Sequence, residues 1–540
     1  MITIDTSRIN NTRKLVGILC YVTTTFVITL LCRILCDLIP DTDKVRVLGL
    51  LGWFVLFVFF AAYKYVTGKF ITLASVFVLS MFAFGYGQYL LYGIGAKYDY
   101  YFLNSYYAGL YNNNKALLTA SVQYTLIGLE LFCLAIMAAV RKNRPWQTAE
   151  KPGPSVFRVD DDAMRKVFIV LFCLSAVPTM AFNAYLAVYS LAAGYANARL
   201  IPTPAIVRYL GTFFIPSAIG SFICNKNKPR ARLVVAACSA AYCAMSFIVG
   251  GRSLAMGLLF GLAVVFLSER KISVSAIVVI LLGGYLFIVL SSVISEARNN
   301  NGGGFIRIFM ENAFGGKAFS LFLGETGFSG SSLTWMMHAM ESRGVNPING
   351  KTYIGAVIGI LPSSLDVLHI QDYWNEFTQL EDFLTNYYSF DFGVGYSLFA
   401  ESYYNFRWFG LVVLFLEGLL FGKLFNLDSA CTGSWKKYVP IALFSMLITI
   451  PRRDIVFLSN YIALCVIAPY ILIVLYATIK NSVLLTPRAP RKNNERKIEN
   501  IQLNSQQFLR HYFGADIRRA QFCGKNRYYT RSRRGNQRAS

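Results

Sequence analysis

The chain returns repeatedly to nearly uncharged apolar runs that approach or exceed the ~20 residues a helix needs to cross a hydrocarbon core of about 30 Å. They lie at about 15–36, 45–63, 70–94, 116–140, 167–190, 206–224, 233–249, 253–268, 272–294, 405–424, 438–453 and 455–479. The runs are continuously apolar rather than alternating. That predicts helices, which satisfy their own backbone hydrogen bonds in lipid, rather than the strands of a barrel. A length of 540 residues would otherwise suggest several soluble domains, but 55% apolar and only 15% charged residues exclude that. The opening "MITIDTSRINNTRK" is polar and basic, and no small-residue cleavage site follows a short apolar core. It therefore predicts a first span, not a cleaved signal peptide. The expectation is an all-α polytopic membrane protein of about twelve spans.

Residues 233–268 are too long for one span, and Gly250-Gly251 permits a tight turn, so a hairpin is predicted there. Loop charge then orients the chain. With the N-terminus inside, the basic loops "RKNRPWQTAEKPGPSVFRVDDDAMRK" (141–166) and "NKNKPRAR" (225–232) both fall inside, as do both termini. The net charge is +24, and residues 480–540 hold 15 Lys/Arg against 3 Asp/Glu, half of that excess. Such a tail suits the anionic lipid of the cytoplasmic leaflet, so membrane lipid is the expected partner and nucleic acid is not. The resulting organisation is a bundle at 1–294 (spans one to nine), an outer loop domain at 295–404, spans ten to twelve at 405–479, and a basic, largely disordered tail at 480–540.

Three arginines run against this charge trend. Arg252 in "GGRSLAMG" falls at the outer tip of the hairpin, and Arg452 and Arg453 in "ITIPRRDIVF" fall at an outer helix boundary. Guanidinium matches phosphate oxygens bidentately and stays charged, so these are candidate diphosphate contacts. Snorkelling to headgroups, or pairing with an acid such as Asp454, explains them equally simply. Arg452 and Arg453 are adjacent and point about 100° apart on a helix, so one of them is expected to face a site.

The outer segment carries the candidate acids and bases: Glu311, Glu325, Glu341, Glu376, Glu381, Asp382, Asp391 and Glu401, with His338 and His369. Any of these could take a proton from a hydroxyl. Glu401 stands out, because it lies between "FGVGYSLFA" and "SYYNFRWFG" at the entry to span ten. The stretch "DVLHIQDYWNEFTQLEDFLTNYYSFD" (366–391) mixes rings with carboxylates. That composition suits stacking on sugar faces, and it suits an aromatic belt at the membrane interface as well. Tyr373, Trp374, Tyr396 and Tyr403 are the aromatic glycan-binding candidates. Arg33, Glu130 and Arg208 lie in or at the ends of spans and are expected to pair between helices, while Glu417 has no role that the sequence assigns. The eleven cysteines avoid 295–404 and show no CxxC spacing, so neither a disulfide framework nor a metal site is expected. No Walker motif and no strand-borne GxGxxG is present, so no cofactor is expected.

Three pieces of the C-terminal half resemble the Wzy-type O-antigen polymerases, or oligosaccharide repeat unit polymerases. They are "GGRSLAMG" (250–257), "GETGFSGSSLTWMM" with "GKTYIGAVIGILPSSL" (within 324–365), and "GVGYSLFAESYYNFRWFGLVVLFLEGLLFG" (393–422). The resemblance covers roughly 245–460. Where such polymerases show Asn-Phe-Gly, this chain has Asn405-Phe406-Arg407, which makes Arg407 an extra phosphate contact or an interfacial anchor. The resemblance implies a C-type glycosyltransferase-like membrane fold with a large periplasmic loop between helices nine and ten. It also implies an activity at the outer face of the bacterial inner membrane, where undecaprenyl-diphosphate-linked glycans are joined into O-antigen or capsular polysaccharide. In that activity Arg252 and one of Arg452 and Arg453 would hold the diphosphate, and Glu401 would be the base with Glu325 and His338 behind it. A chain-length regulator and a flippase of the same pathway are the implied protein partners. An O-antigen ligase, a lipid-linked glycan flippase or transporter, and a membrane scaffold are the competing readings.

Overall fold

The computed structural model describes residues 6–96, 115–140, 159–193, 197–198, 200–250, 252–268, 284–286, 288–289, 293, 305–315, 317–360, 380–389, 395–425 and 433–485. All regular structure among them is helical. The chain divides into two compact units, Met1–Ala477 and Thr478–Ser540. The expected basic tail lies almost wholly outside the described residues, as does most of the expected ninth span, 272–294.

The first unit opens with α1 (Thr6–Leu38), α2 (Asp41–Thr67), α3 (Leu73–Gly93), α4 (Lys115–Ala138) and α5 (Asp161–Ala193). A short α6 (Ala205–Leu210) runs through a 3₁₀ turn into α7 (Phe214–Cys224), and α8 (Pro229–Val249) and α9 (Arg252–Ser268) follow. Then come α10 (Phe305–Phe314), α11 (Lys317–Gly327), α12 (Ser331–Ser342), α13 (Lys351–Ile358) and α14 (Leu380–Tyr388). The last group is α15 (Leu398–Phe406), α16 (Gly410–Phe425), α17 (Ser434–Leu447), α18 (Val456–Ile462) and α19 (Ala468–Leu485).

Among the described residues nine helical stretches are long and apolar enough to span a membrane. They correspond to expected spans one to seven, ten and twelve. The expected eighth is a shorter apolar helix, Ser253–Phe266, and the expected eleventh is the 14-residue α17, which ends before the 3₁₀ turn Ile450–Arg452. Phe26, Phe57, Val188 and Leu233 point outward from their spans, as lipid-facing residues do. The hairpin expected at Gly250 is present. Gly250 ends α8 at φ 87°, a left-handed conformation glycine adopts freely, and α9 starts two residues on.

Close seams of small residues hold the bundle together. Gly418 and Gly422 put one face of α16 against α4, where an added Cβ would come within 2.7 Å of Ala135 and 2.6 Å of Ala139. At Gly257 of α9 an added Cβ would run into the Ser445 carbonyl of α17. Lipid gives helices no hydrophobic drive to associate, so such close backbone approach is what binds them. Between the seams, Phe77 lies 4.7 Å from Phe421 and 5.0 Å from Phe425, ring centre to ring centre. Polar bonds cross the helices as well. Thr29 donates to Glu130 Oε1 at 2.8 Å, an interhelical link of the kind expected for Glu130. Lys14 Nζ, near the start of α1, donates to the last carbonyls of the α4 segment, Ala138 and Val140.

The described part of 295–404 packs directly on this bundle. Gln88 of α3 donates to the Gly324 carbonyl of α11 at 2.9 Å, and Ser121 of α4 bonds Thr334 of α12 at 2.8 Å. Span ten begins earlier than the apolar run at 405 suggests. Helix starts at Leu398, with the Ser397 hydroxyl accepting from Ala400 N–H, and the 3₁₀ turn Arg407–Phe409 joins α15 to α16. Glu401 therefore sits inside the helical stretch, one turn from its start.

Candidate catalytic centre

Glu401 and Asn405 lie one helical turn apart on α15, so they share a face. Both are buried. Asn405 Nδ2 donates to the Glu401 carbonyl at 2.8 Å and to Thr352 Oγ1 of α13 at 2.9 Å, which ties the two helices. The Glu401 carboxylate reaches across to the segment before α18, where Oε2 accepts from the Ile455 N–H at 2.8 Å. Oε1 makes no hydrogen bond of ordinary geometry with a described residue. Asp454, also buried, and Glu417 lie near Glu401. Glu417, which the sequence left without a role, accepts from the Tyr353 hydroxyl at 3.0 Å. Burial first, then Glu417 and Glu401, push the Tyr353 hydroxyl well above its ordinary pKa, so it stays a donor.

The arginine turn lies against the same segment. Tyr396 N–H meets the Arg452 carbonyl at 3.4 Å, and a Cβ on Gly395 would stand 3.3 Å from Arg452 Nε. Arg452 is exposed, whereas Arg453 is half-buried with its guanidinium 4.3 Å above the Phe457 ring. The two neighbours therefore diverge, as adjacent positions must. Tyr396 is buried rather than offered to solvent. Burial first, then Glu401, Tyr404 and Asp454, hold its hydroxyl well above its ordinary pKa. Tyr403 is buried too, and its hydroxyl donates to Glu341 at 3.0 Å.

His338, on α12, is half-buried, and its Nδ1 lies 2.9 Å from the Tyr388 hydroxyl. That hydroxyl donates its one proton to the Trp335 carbonyl at 3.0 Å. It must then accept from His338, which fixes the Nδ1–H tautomer and leaves Nε2 with a lone pair. Burial first and Arg343 second lower the His338 pKa, which favours the neutral ring. Arg343 itself lies 5.1 Å from the centre of the Tyr388 ring. Glu325 is half-buried at the end of α11, one turn before Ser329, whose hydroxyl faces Gly395.

Glu401, Tyr396, Arg452 and Arg453 thus come together, Glu325 lies one turn before Ser329 at their edge, and α12, which carries His338, is tied to α15 by the bond from Tyr403 to Glu341. Arg252 begins α9, the helix whose Gly257 meets Ser445 of α17; its side chain, like Tyr373 and Trp374, lies outside the described residues. Arg407 is exposed at the break after α15, with φ 51° and ψ −134°. That conformation suits glycine, the residue such polymerases carry there. Sequence reasoning missed Thr352, Tyr353 and Asn405 and gave Asp454 only a pairing role. The i, i+4 spacing of Glu401 and Asn405 was the available signal. Among the described residues no group of His, Cys, Asp and Glu is arranged to hold a metal ion.

Fold and centre together define a multi-pass membrane protein, helical throughout its described residues, in which the buried Glu401 carboxylate is bonded to an arginine-bearing turn. The sequence profile of the O-antigen polysaccharide polymerase Wzy matches residues 9–482. The chain belongs to that family, whose members polymerise O-antigen. Comparison with curated proteins found no match, and comparison with solved structures found none.

Proposed function

We propose that the chain joins undecaprenyl-diphosphate-linked oligosaccharide repeat units at the outer face of the inner membrane, with both termini in the cytoplasm. A hydroxyl oxygen of the acceptor repeat attacks the anomeric carbon of the donor chain. The bond from that carbon to the diphosphate oxygen breaks, and undecaprenyl diphosphate leaves with the electron pair. The hydroxyl proton passes to His338 Nε2, which the bond between Nδ1 and the Tyr388 hydroxyl leaves with a lone pair, because Glu401, the first candidate, is fully buried. Glu325 is the second choice. The leaving group gains negative charge, and Arg252 with Arg452 or Arg453 offsets it electrostatically. Arg407 adds a contact to the diphosphate or anchors the helix break at the interface. Tyr373 and Trp374 are the aromatic residues proposed to bind the growing glycan, while the buried Tyr403 holds Glu341 instead. A chain-length regulator and a flippase of the same pathway are the protein partners.

One observation carries this reading. Residues from far apart in the chain, Gly395, Tyr396 and Glu401 on one side and Arg452 to Ile455 on the other, meet in a single clasp. The test is complementation of a strain lacking its own polymerase, with surface polysaccharide resolved on a gel. Wild-type chain is expected to give long ladders. Arg252→Ala and Arg452→Ala are expected to leave single-repeat caps and about a hundredfold less polymer, with normal membrane abundance. Loss of all capped lipid A core from the null strain itself would favour the ligase reading, and normal ladders from both variants would remove the arginines from the centre.

A further inference from the structure

Glu401 was the first choice for a base, yet it has no exposed surface. A general base must come within hydrogen-bond reach of the proton it takes. What Glu401 does reach is a backbone donor. Ile455 immediately precedes α18, so its N–H is one of the donors that a helix start leaves without a partner inside the helix. Ile455 is buried, and a buried backbone N–H left unpaired is destabilising. Glu401 Oε2 supplies the acceptor from another helix at 2.8 Å.

We propose that Glu401 is a positioning residue that holds the Arg452–Arg453 turn in place by accepting from the Ile455 N–H. The inference rests on the polymerase reading for the role of those arginines. The neighbours of Glu401 fix the backbone from which its carboxylate reaches out. The Ser397 carbonyl accepts from the Glu401 N–H at 2.9 Å, the Ser397 hydroxyl caps α15, and Asn405 locks the Glu401 carbonyl while binding Thr352. Ser332 donates to the Ser397 hydroxyl at 2.9 Å, which ties the same turn to α12. The backbone contact from Tyr396 to Arg452 is the second grip on the turn, three residues upstream of Ile455. Placing a functional group by packed, hydrogen-bonded supports is how a rigid centre keeps its geometry.

This role reverses the order of variants that a base would give. Glutamine keeps the chain length and an amide oxygen that accepts from Ile455, but it cannot take a proton. Aspartate keeps the carboxylate but is one methylene too short to reach. The experiment uses the full-length chain in liposomes, with undecaprenyl-diphosphate-linked repeat units purified from a polymerase-null strain. Glu401→Gln is expected to stay within about threefold of wild type, with an unchanged KM for the donor. Glu401→Asp and Glu401→Ala are expected to lose at least about tenfold in kcat/KM, with the donor KM raised because the arginines are displaced. A merely structural role would lower the amount of active protein and leave KM unchanged. In parallel, hydrogen exchange of peptides covering 450–458 is expected to match wild type in Glu401→Gln and to be faster in Glu401→Asp. An inactive Glu401→Gln beside an active Glu401→Asp would overturn the inference and restore the base, and so would unchanged exchange in Glu401→Asp. Should wild type itself form no polymer, the polymerase reading fails while the exchange measurement still judges the clasp.

Discussion

The aromatic layer around Phe77 and the polar centre around Glu401 both lie inside the fold, yet they are held by different physics. The first joins Phe77, Phe132, Phe421 and Phe425 with the small-residue seams beside them. Many weak contacts add up there, and volume is what matters. The second joins Glu401, Asn405, Thr352, Tyr353, Glu417, Asp454 and the Ile455 N–H through single named atoms. One lost atom there leaves a buried group without a partner. The contrast separates what makes the chain a membrane bundle from what specialises one end of it.

Variants can break or sharpen that contrast. The largest effect is expected on the side governed by volume. Gly257→Leu drives a side chain into the backbone carbonyl of Ser445, which cannot step aside. Its abundance in the membrane fraction is expected to fall by tenfold or more, and normal abundance would show the seam to be loose. On the side governed by atoms, Tyr353→Phe keeps the ring beside Phe406, 5.9 Å away, but removes the donor to Glu417. An unsatisfied buried acceptor costs about 1–3 kcal/mol, so the melting temperature in detergent should drop while insertion stays normal. Arg407→Gly should do the opposite. Relief of its positive φ is expected to stabilise the chain by about 1 kcal/mol, and a lower melting temperature would refute strain at that position.

The smallest effect concerns pH. Arg343 lowers the His338 pKa, second to burial. Arg343→Ala should therefore raise it towards the ordinary histidine value of ~6.5. A base works only when unprotonated, so the acid limb of the rate profile should move to higher pH, and activity should fall more below neutrality than above it. An acid limb that stays put would separate His338 from proton transfer.

How much of this was legible in the sequence follows the same division. Spans could be read because lipid imposes a length and an apolar character on each of them, and the hairpin could be read because Gly250 marks its own turn. Arg252, Arg452 and Arg453 stood out in the sequence because they break the charge trend of its loops. The start of span ten was read late, because "LFAESYYNF" is too polar to look like a span, yet Ser397 caps it and neighbouring helices cover it. Glu417 could not be given a role, since its partner Tyr353 lies 64 residues away and only the fold brings the two together. The burial of Glu401 was invisible for the same reason, and with it the idea that the acid grips a backbone rather than a substrate.

The most direct test of the account is reconstitution of the purified chain with undecaprenyl-diphosphate-linked repeat units alone, scoring product length and released undecaprenyl diphosphate. The account expects a ladder of glycans lengthening by whole repeats, with one undecaprenyl diphosphate released per bond formed. Repeat units that cross the bilayer unchanged, or that elongate only when lipid A core is supplied and then by a single transfer, would contradict it.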